Sequence, residues 1–249
     1  MFRQESGMQD KFSTKYSGCD ELINCEVMVN YNHSIVEAAV KSADTPTNCI
    51  DFGAGIGTLS IIFREKFGIE PQCVEIDEKN IRHLRDRKFK TVSKLSTSLP
   101  NAGLIFSSNV LEHIEDDVDI LKSMEAALDN KGIVFLYLPA NMVLWTQMDV
   151  AVGHYRRYNI KDLRIKCQEA GLKITKIHYA DSIGFFASLV MKLVGYNGES
   201  GMGSVTSLKF YDKFIFPFSK WLDRFGLKYF FGKNIIVVAN KITSAEKPT

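Results

Sequence analysis

No apolar run in this 249-residue chain approaches the roughly 20 residues a membrane-spanning helix needs, so no span is expected. Met1 to Phe12 is polar and mixed in charge and lacks the apolar segment of a secretory leader. The five cysteines, at 19, 25, 49, 73 and 167, form no Cys-x-x-Cys pair, which argues against a thiolate zinc site. Cys49 and Cys73 fall in predicted strands and read as buried thiols, the usage of a reducing cytoplasm. A net charge of +2 sets up no strong field for nucleic acid. The basic cluster Arg82, Arg85, Arg87, Lys88 and Lys90 reads as the solvated end of a helix. Neither a basic arm nor an internal repeat is present, and no nucleic-acid partner is expected. What remains, 45% hydrophobic and 24% charged residues, suffices for one large α/β domain.

The most informative stretch is Cys49-Ile50-Asp51-Phe52-Gly53-Ala54-Gly55-Ile56-Gly57. It reads as a buried strand, a glycine loop and the start of a helix, the unit with which open α/β sheets bind nucleotide-like cofactors. A dinucleotide fingerprint would need a third glycine at position 58, where the chain has Thr58. Asp51 at the loop mouth would repel a pyrophosphate, and no Gly-Lys-Ser/Thr follows for a phosphate loop. S-adenosylmethionine, cationic and free of phosphate, suits such a loop. A nicotinamide-dependent oxidoreductase is disfavoured on the same residues.

Along the chain, Ile35, Val36, Ala39 and Val40 form the apolar stripe of a helix over 30–43 that ends before Pro46. Strands are predicted at 47–52, 71–76, near 91–92, at 104–107, 133–138, 172–180 and 234–240. Helices alternate with them at 57–67, 77–87 and 115–129, the last closed by Asn130-Lys131-Gly132. Such alternation means βαβ units and a mostly parallel sheet. A long loop is predicted over 139–158, then a helix from its cap Asn159 to 170. Glu75, 18 positions after Gly57, is placed to accept hydrogen bonds from both ribose hydroxyls, with Asp77 the competing residue.

With these residues the chain resembles the class I S-adenosylmethionine-dependent methyltransferases, whose first motif Ile50 to Gly57 matches. Asn109-Val110-Leu111-Glu112-His113, Leu138-Pro139-Ala140, Leu144-Trp145, Met148-Asp149 and Gly153-His154-Tyr155-Arg156-Arg157-Tyr158 resemble more narrowly a bacterial group linked with cell-surface polysaccharide and glycolipid assembly. The likeness runs over about residues 25–241. It implies a Rossmann-like seven-stranded, mostly parallel sheet with helices on both faces, closed by the strand 234–240. It implies S-adenosyl-L-methionine as cofactor, held by Asp51, Gly53, Ala54, Gly55, Gly57, Glu75, Ile76, Ser96 and Asn109. Two departures bear on the adenine: Ser93 to Pro100 lacks the usual Asp, and Gly103 stands where an Asp often opens the fourth strand. Ser96 or backbone groups are the expected contacts there.

On the acceptor side, His154 lies at the carboxyl edge of the sheet and is the candidate base for a hydroxyl nucleophile. Arg156 and Arg157 are candidates to hold an anionic substrate group, and Trp145, Tyr155 and Tyr158 to line a sugar or aromatic pocket. The competing reading makes this loop a brace in which Asp149 pairs with an arginine. His113 is assigned a structural role first. No metal is expected.

Residues 1–45 read as an N-terminal helical segment or lid and 46–242 as the catalytic domain. Within it, 182–233 is an aromatic helical insertion, with a Gly-rich linker at 195–203 and Pro217 breaking its second part into two helices. The tail 243–249 is expected to be disordered. The insertion reads as a substrate lid, a homodimer interface or a peripheral membrane contact. The activity expected is O-methylation of a small-molecule, glycan or glycolipid acceptor in the cytoplasm. The alternative is a catalytically silent subunit that binds the nucleoside and a protein partner.

Overall fold

The computed structural model describes residues 19–43, 46, 48–95, 101–194 and 204–242. Ser96, the linker 195–203 and the tail 243–249 lie outside the described residues.

Seven strands form one sheet: β1 (Cys49–Phe52), β2 (Gln72–Val74), β3 (Thr91–Val92), β4 (Ala102–Ser108), β5 (Leu128–Pro139), β6 (Leu172–Ala180) and β7 (Asn234–Lys241). Their order is β3-β2-β1-β4-β5-β7-β6. The first five run parallel, and β7 is antiparallel to both neighbours. The expected sheet is therefore present, and its carboxyl edge carries the glycine loop.

Strand residues alternate between the two faces. Ile50, Ile105, Val134, Leu136 and Val237 pack on one side with Leu121 and Met124 of α5 (Asp117–Ala127) and Leu163 and Cys167 of α7 (Ile160–Glu169). Cys49, Leu104, Phe106, Phe135 and Val238 pack on the other with Phe63 of α3 (Thr58–Phe67) and Ile35, Val36 and Ala39 of α2 (Val29–Ser42). The helix α2 thus covers the same sheet face as α3. Ahead of it lies α1 (Cys19–Cys25), and α4 (Glu78–Asp86) closes over Cys73 through Leu84.

Three elements differ from the sequence reading. β5 begins at Leu128, so Asn130-Lys131-Gly132 belongs to the strand and not to a helix end. A register shift between Ala102 and Leu104 lets β4 pair with Leu128 first and Ile133 next. Residues 139–158 are not an open loop: Met142–Leu144 forms a 3₁₀ turn and α6 (Gln147–Ala151) starts on a capping box of Thr146 and Asp149. Asn159 does cap α7, accepting from the Asp162 N–H.

The insertion holds α8 (Ser182–Val194), α9 (Val205–Phe210), a π-helical turn at Tyr211–Ile215 and α10 (Phe216–Arg224). Pro217 does not break this helix. It falls in the first turn of α10, where no N–H is needed, and the wider π turn before it absorbs the misfit. Asp212, Phe216 and Ser219 face inward. The aromatic stripe Phe210, Phe214, Phe218, Trp221 and Phe225 faces out, each residue at least 50% exposed. No helix among the described residues is long and apolar enough to cross a membrane.

Candidate active site

After Phe52 the chain turns through Gly53, Gly55 and Gly57 at φ of +75°, +55° and +87°. At Gly53 a side chain is also excluded by space, because a Cβ there would lie 2.3 Å from Val110 Cγ2. The Gly53 and Ala54 N–H groups donate to the Val74 carbonyl at 2.8 and 3.2 Å, tying the loop to β2. Glu75 stands one residue past β2. Its Oε2 accepts from the Gly55 N–H at 2.7 Å, and its Oε1 from the Ile76 and Asp77 N–H groups at 2.7 and 2.9 Å. Asp77 is occupied otherwise, capping α4 through the Lys79 and Asn80 N–H groups. Glu75 is the carboxylate on the loop.

A carboxylate offers about four acceptor positions. Three are engaged here, so pairing with two ribose hydroxyls requires Glu75 to release one backbone partner, and Gly55 is the one on the cofactor loop. Ile76 beside it is 65% exposed, an apolar surface suited to a base. Asn109 is exposed at φ +53°, with its N–H on the Tyr137 carbonyl at 2.8 Å. A glycine cradle, a carboxylate and an exposed apolar side chain fit a nucleoside cofactor without phosphate.

Asp51 plays a different part from the one its sequence position suggests. It is 2% exposed, within β1, and its Oδ2 accepts from Ser60 Oγ at 2.6 Å. Burial pushes its carboxyl up to about 7; the Ser60 hydroxyl opposes that rise and Glu75 adds to it. It therefore carries only a partial charge at neutral pH and does not line the loop mouth. Its charge is a weaker discriminator against pyrophosphate than the sequence implies.

Two contacts at this loop have no signature in the sequence. Leu22 of α1 lies over Gly55, 3.1 Å from where a Cβ would be. Glu26 accepts from Thr58 Oγ1 at 3.0 Å and from Arg87 at 2.8 Å, while Arg87 also donates to the Ile56 carbonyl at 2.9 Å. Arg87, which reads in sequence as solvated, locks α1 to the loop.

On the acceptor side, the segment after β5 packs against the 3₁₀ turn Leu111–His113 that follows β4. His154 Nδ1 lies 2.8 Å from Asp149 Oδ1, and Arg157 clasps both oxygens of Asp149 at 2.8 and 3.1 Å. Burial would raise the Asp149 carboxyl, but the hydrogen bonds from His154 and Arg157 outweigh it and hold it at about 2. Arg156 pairs with Asp117 at 2.8 Å and donates to the Ile114 and Glu115 carbonyls at 3.1 and 2.9 Å. Tyr158 is 2% exposed, with its hydroxyl donating to Asp117 Oδ2 at 2.8 Å. Lys166 reaches Asp117 Oδ1 at 2.6 Å.

Arg156, Arg157 and Tyr158 each hydrogen-bond a buried carboxylate, the geometry of a brace, and Arg156 donates to two backbone carbonyls as well. Of the five residues assigned to substrate, Tyr155 (45% exposed) and half-buried Trp145 keep accessible rings. Lys192 of α8 donates to the Val143 carbonyl at 2.7 Å, so the insertion touches this segment directly.

His154 faces two further groups. Its ring stands 4.5 Å from that of His113, edge to face. Its Nε2 is 3.8 Å from Oε1 of Glu112, a fully buried carboxyl. Burial raises Glu112 to about 8 and, with the neighbouring His154, lowers His113 to about 4. Both groups are therefore neutral for the most part near pH 7. Glu112 carries no signature in the sequence, since its burial depends on the segment that follows β5.

The sequence pattern of a methyltransferase domain matches residues 28–177, more than half of the chain. No curated protein matches. Among solved structures, a Thermotoga maritima protein described as a possible histamine N-methyltransferase superposes with a TM-score of 0.60 at 12% identity, covering 90% of this chain and 97% of that one. A chain in the complex of the Haloferax volcanii Trm112 methyltransferase activator with its methyltransferase gives 0.60 at 10% identity, covering 92% and 98%. Haemonchus contortus phosphoethanolamine N-methyltransferase 2, in complex with S-adenosyl-L-methionine, gives 0.58 at 16% identity, covering 90% and 57%.

Proposed function

We propose, for a chain that belongs to the methyltransferase-domain family and is a class I S-adenosylmethionine-dependent methyltransferase, that its acceptor is a small molecule or glycan methylated at oxygen. Its cofactor when bound supplies an electrophilic methyl group on a sulfonium. Gly53, Gly55 and Gly57 would seat it, Glu75 would take the ribose, Ile76 the base, and Asn109 the methionine portion.

The observation that carries the acceptor reading is the Glu112–His113–His154 cluster. A hydroxyl nucleophile must lose a proton, and within this cluster the His154 imidazole, at the carboxyl edge of the sheet, is the group that could take it. Tyr155 and Trp145 supply the apolar ring surface a sugar or aromatic acceptor would use. A cell-surface glycan or glycolipid precursor is the narrower proposal, with the protein acting in the cytoplasm. Residues 19–42 and the insertion are proposed as lids. Leu22 lies over Gly55, and Asp212 of the insertion accepts from the Asn30 and Tyr31 N–H groups at 3.0 and 2.8 Å, joining the two segments.

A second reading, a silent subunit that binds the nucleoside and a protein, is favoured by the exposed aromatic stripe of the insertion. The same stripe would serve a homodimer, or, with Lys209, Lys213 and Lys228 nearby, a membrane surface; liposome flotation without binding would remove the last.

Calorimetric titration with S-adenosylhomocysteine, beside a Glu75→Ala variant, tests the reading. Micromolar binding that weakens at least tenfold in the variant supports the cofactor site. Labelled methyl transfer to hydroxyl and amine acceptors then separates oxygen from nitrogen. Binding without transfer to either acceptor class would favour the silent subunit, and no binding by folded protein would overturn the cofactor reading shared by both.

A further inference from the structure

The turn after β4 and the segment after β5 bring together three ligating side chains. Glu112 is fully buried, and neither of its carboxylate oxygens has a hydrogen-bond partner. Leaving such a group unpaired costs free energy, and in a folded chain it points to a water or an ion. One ligand atom from each of Glu112, His113 and His154 lies within 4.8 Å of the other two. Ligands held about 2.1 Å from one ion sit about 3–4.2 Å apart, so closing the set takes shifts of under about 1 Å.

The surroundings orient the rings as a metal site requires. Asp149 holds His154 Nδ1 at 2.8 Å and is itself clasped by Arg157, which leaves Nε2 toward Glu112. A carboxylate on the far ring nitrogen is the usual partner of a ligating histidine. Hydrogen bonds to the Val152 and Gly153 backbone steady the His113 ring. The set contains no cysteine, so cysteine spacing carries no sign of it.

We propose that Glu112, His113 and His154 bind one divalent first-row transition-metal ion, leaving coordination positions open to water or an acceptor oxygen. Two imidazoles and a single carboxylate suit manganese, iron, cobalt or zinc better than magnesium or calcium, which take oxygen ligands. A bound ion would supply Lewis-acid polarisation of an acceptor hydroxyl, and His154 would then be a ligand and not a base. That role rests on the methyltransferase reading; ion binding does not.

The full chain, stripped with a chelator and titrated with Co²⁺, Mn²⁺ and Zn²⁺, is expected to take up one equivalent. Co²⁺ should give visible d–d absorption without a thiolate charge-transfer band. The thermal midpoint should rise by about 5–10 °C at a hundredfold excess over Kd. Glu112→Gln and His154→Asn should each weaken uptake by roughly 100-fold, and Asp149→Asn by about 10–100-fold. S-adenosylhomocysteine affinity serves as the folding control; if Glu112→Gln does not fold, His154→Asn at the partly exposed ring decides. No stoichiometric uptake by folded protein, uptake unchanged in the folded variants, or a thiolate band would overturn the site. Absence of ion uptake by the unsubstituted protein with intact S-adenosylhomocysteine binding would sink the ion alone; the reverse pattern in that protein would sink the cofactor reading.

Discussion

Replacing Gly53 by alanine probes the closest approach in the cofactor loop. Two costs add. The backbone sits at φ +75°, a left-handed angle that costs a residue with a Cβ about 1–2 kcal/mol. The new Cβ would stand 2.3, 2.7 and 3.0 Å from Cγ2, Cγ1 and Cβ of Val110. Carbon atoms rest about 3.5–4.0 Å apart, so Val110 must move by more than about 1 Å. Such overpacking costs about 1–3 kcal/mol, which brings the total to about 2–5 kcal/mol. Val110 lies three residues before His113, so its displacement also reaches the acceptor side. Adding Val110→Ala removes the two Cγ contacts and leaves the one at 3.0 Å. The double variant should therefore recover about 1–2 kcal/mol of coupling while the backbone cost persists. Urea unfolding at unchanged m-value measures all four corners of the cycle. A Gly53→Ala loss under about 1 kcal/mol, or strict additivity with Val110→Ala, would refute the close approach.

Other perturbations test the rest of the molecule. The Asp51 carboxyl is raised from 3.8 to about 7 in the folded state, so folding takes up a proton between those values. The resulting stability is fully present below about pH 4 and is lost as pH rises through about 7, up to roughly 4 kcal/mol. Asp51→Asn should flatten that fall, and urea midpoints across pH 4–8 for both proteins read the difference. Phe135→Ala in the centre of the sheet should cost about 3–5 kcal/mol by chemical denaturation. Tyr158→Phe removes one hydrogen bond to a carboxylate that keeps Arg156 and Lys166, and should cost about 1–3 kcal/mol. A loss of acceptor binding with unchanged stability would instead make Tyr158 a ligand. Asp212→Ala uncaps α2, should cost about 0.5–2 kcal/mol, and should speed amide exchange across 205–224 more than in the sheet.

Much of this architecture is legible in the order of residues. The runs at 133–138 and 234–240 are apolar on both faces because helices cover both sides of the sheet. Gly53, Gly55 and Gly57 mark positive φ angles that few other residues accept, and Glu75 follows at the spacing a βαβ unit imposes. Asn159 announces the start of α7. Pro217 misleads, because a proline is compatible with a helix wherever the helix begins, and only the π turn before it fixes that point.

The strand–glycine loop–helix unit, the strand segments and the mostly parallel sheet were determined by the sequence alone, since periodicity and backbone chirality act between near neighbours, whereas the order β3-β2-β1-β4-β5-β7-β6 is a property of the tertiary structure. The roles on the acceptor side were decided only by tertiary structure. Tyr158 and Asp117 are 41 residues apart, and Asn30 and Asp212 are 182 apart. Whether an arginine holds a substrate or a buried aspartate depends on which carboxylate arrives beside it. Glu112 reads in sequence as an ordinary polar residue at a turn; the closing of the segment after β5 over it removes its water and sets two imidazoles beside it. Desolvation and charge pairing are sums over every neighbour in space, so no local pattern of residues encodes them.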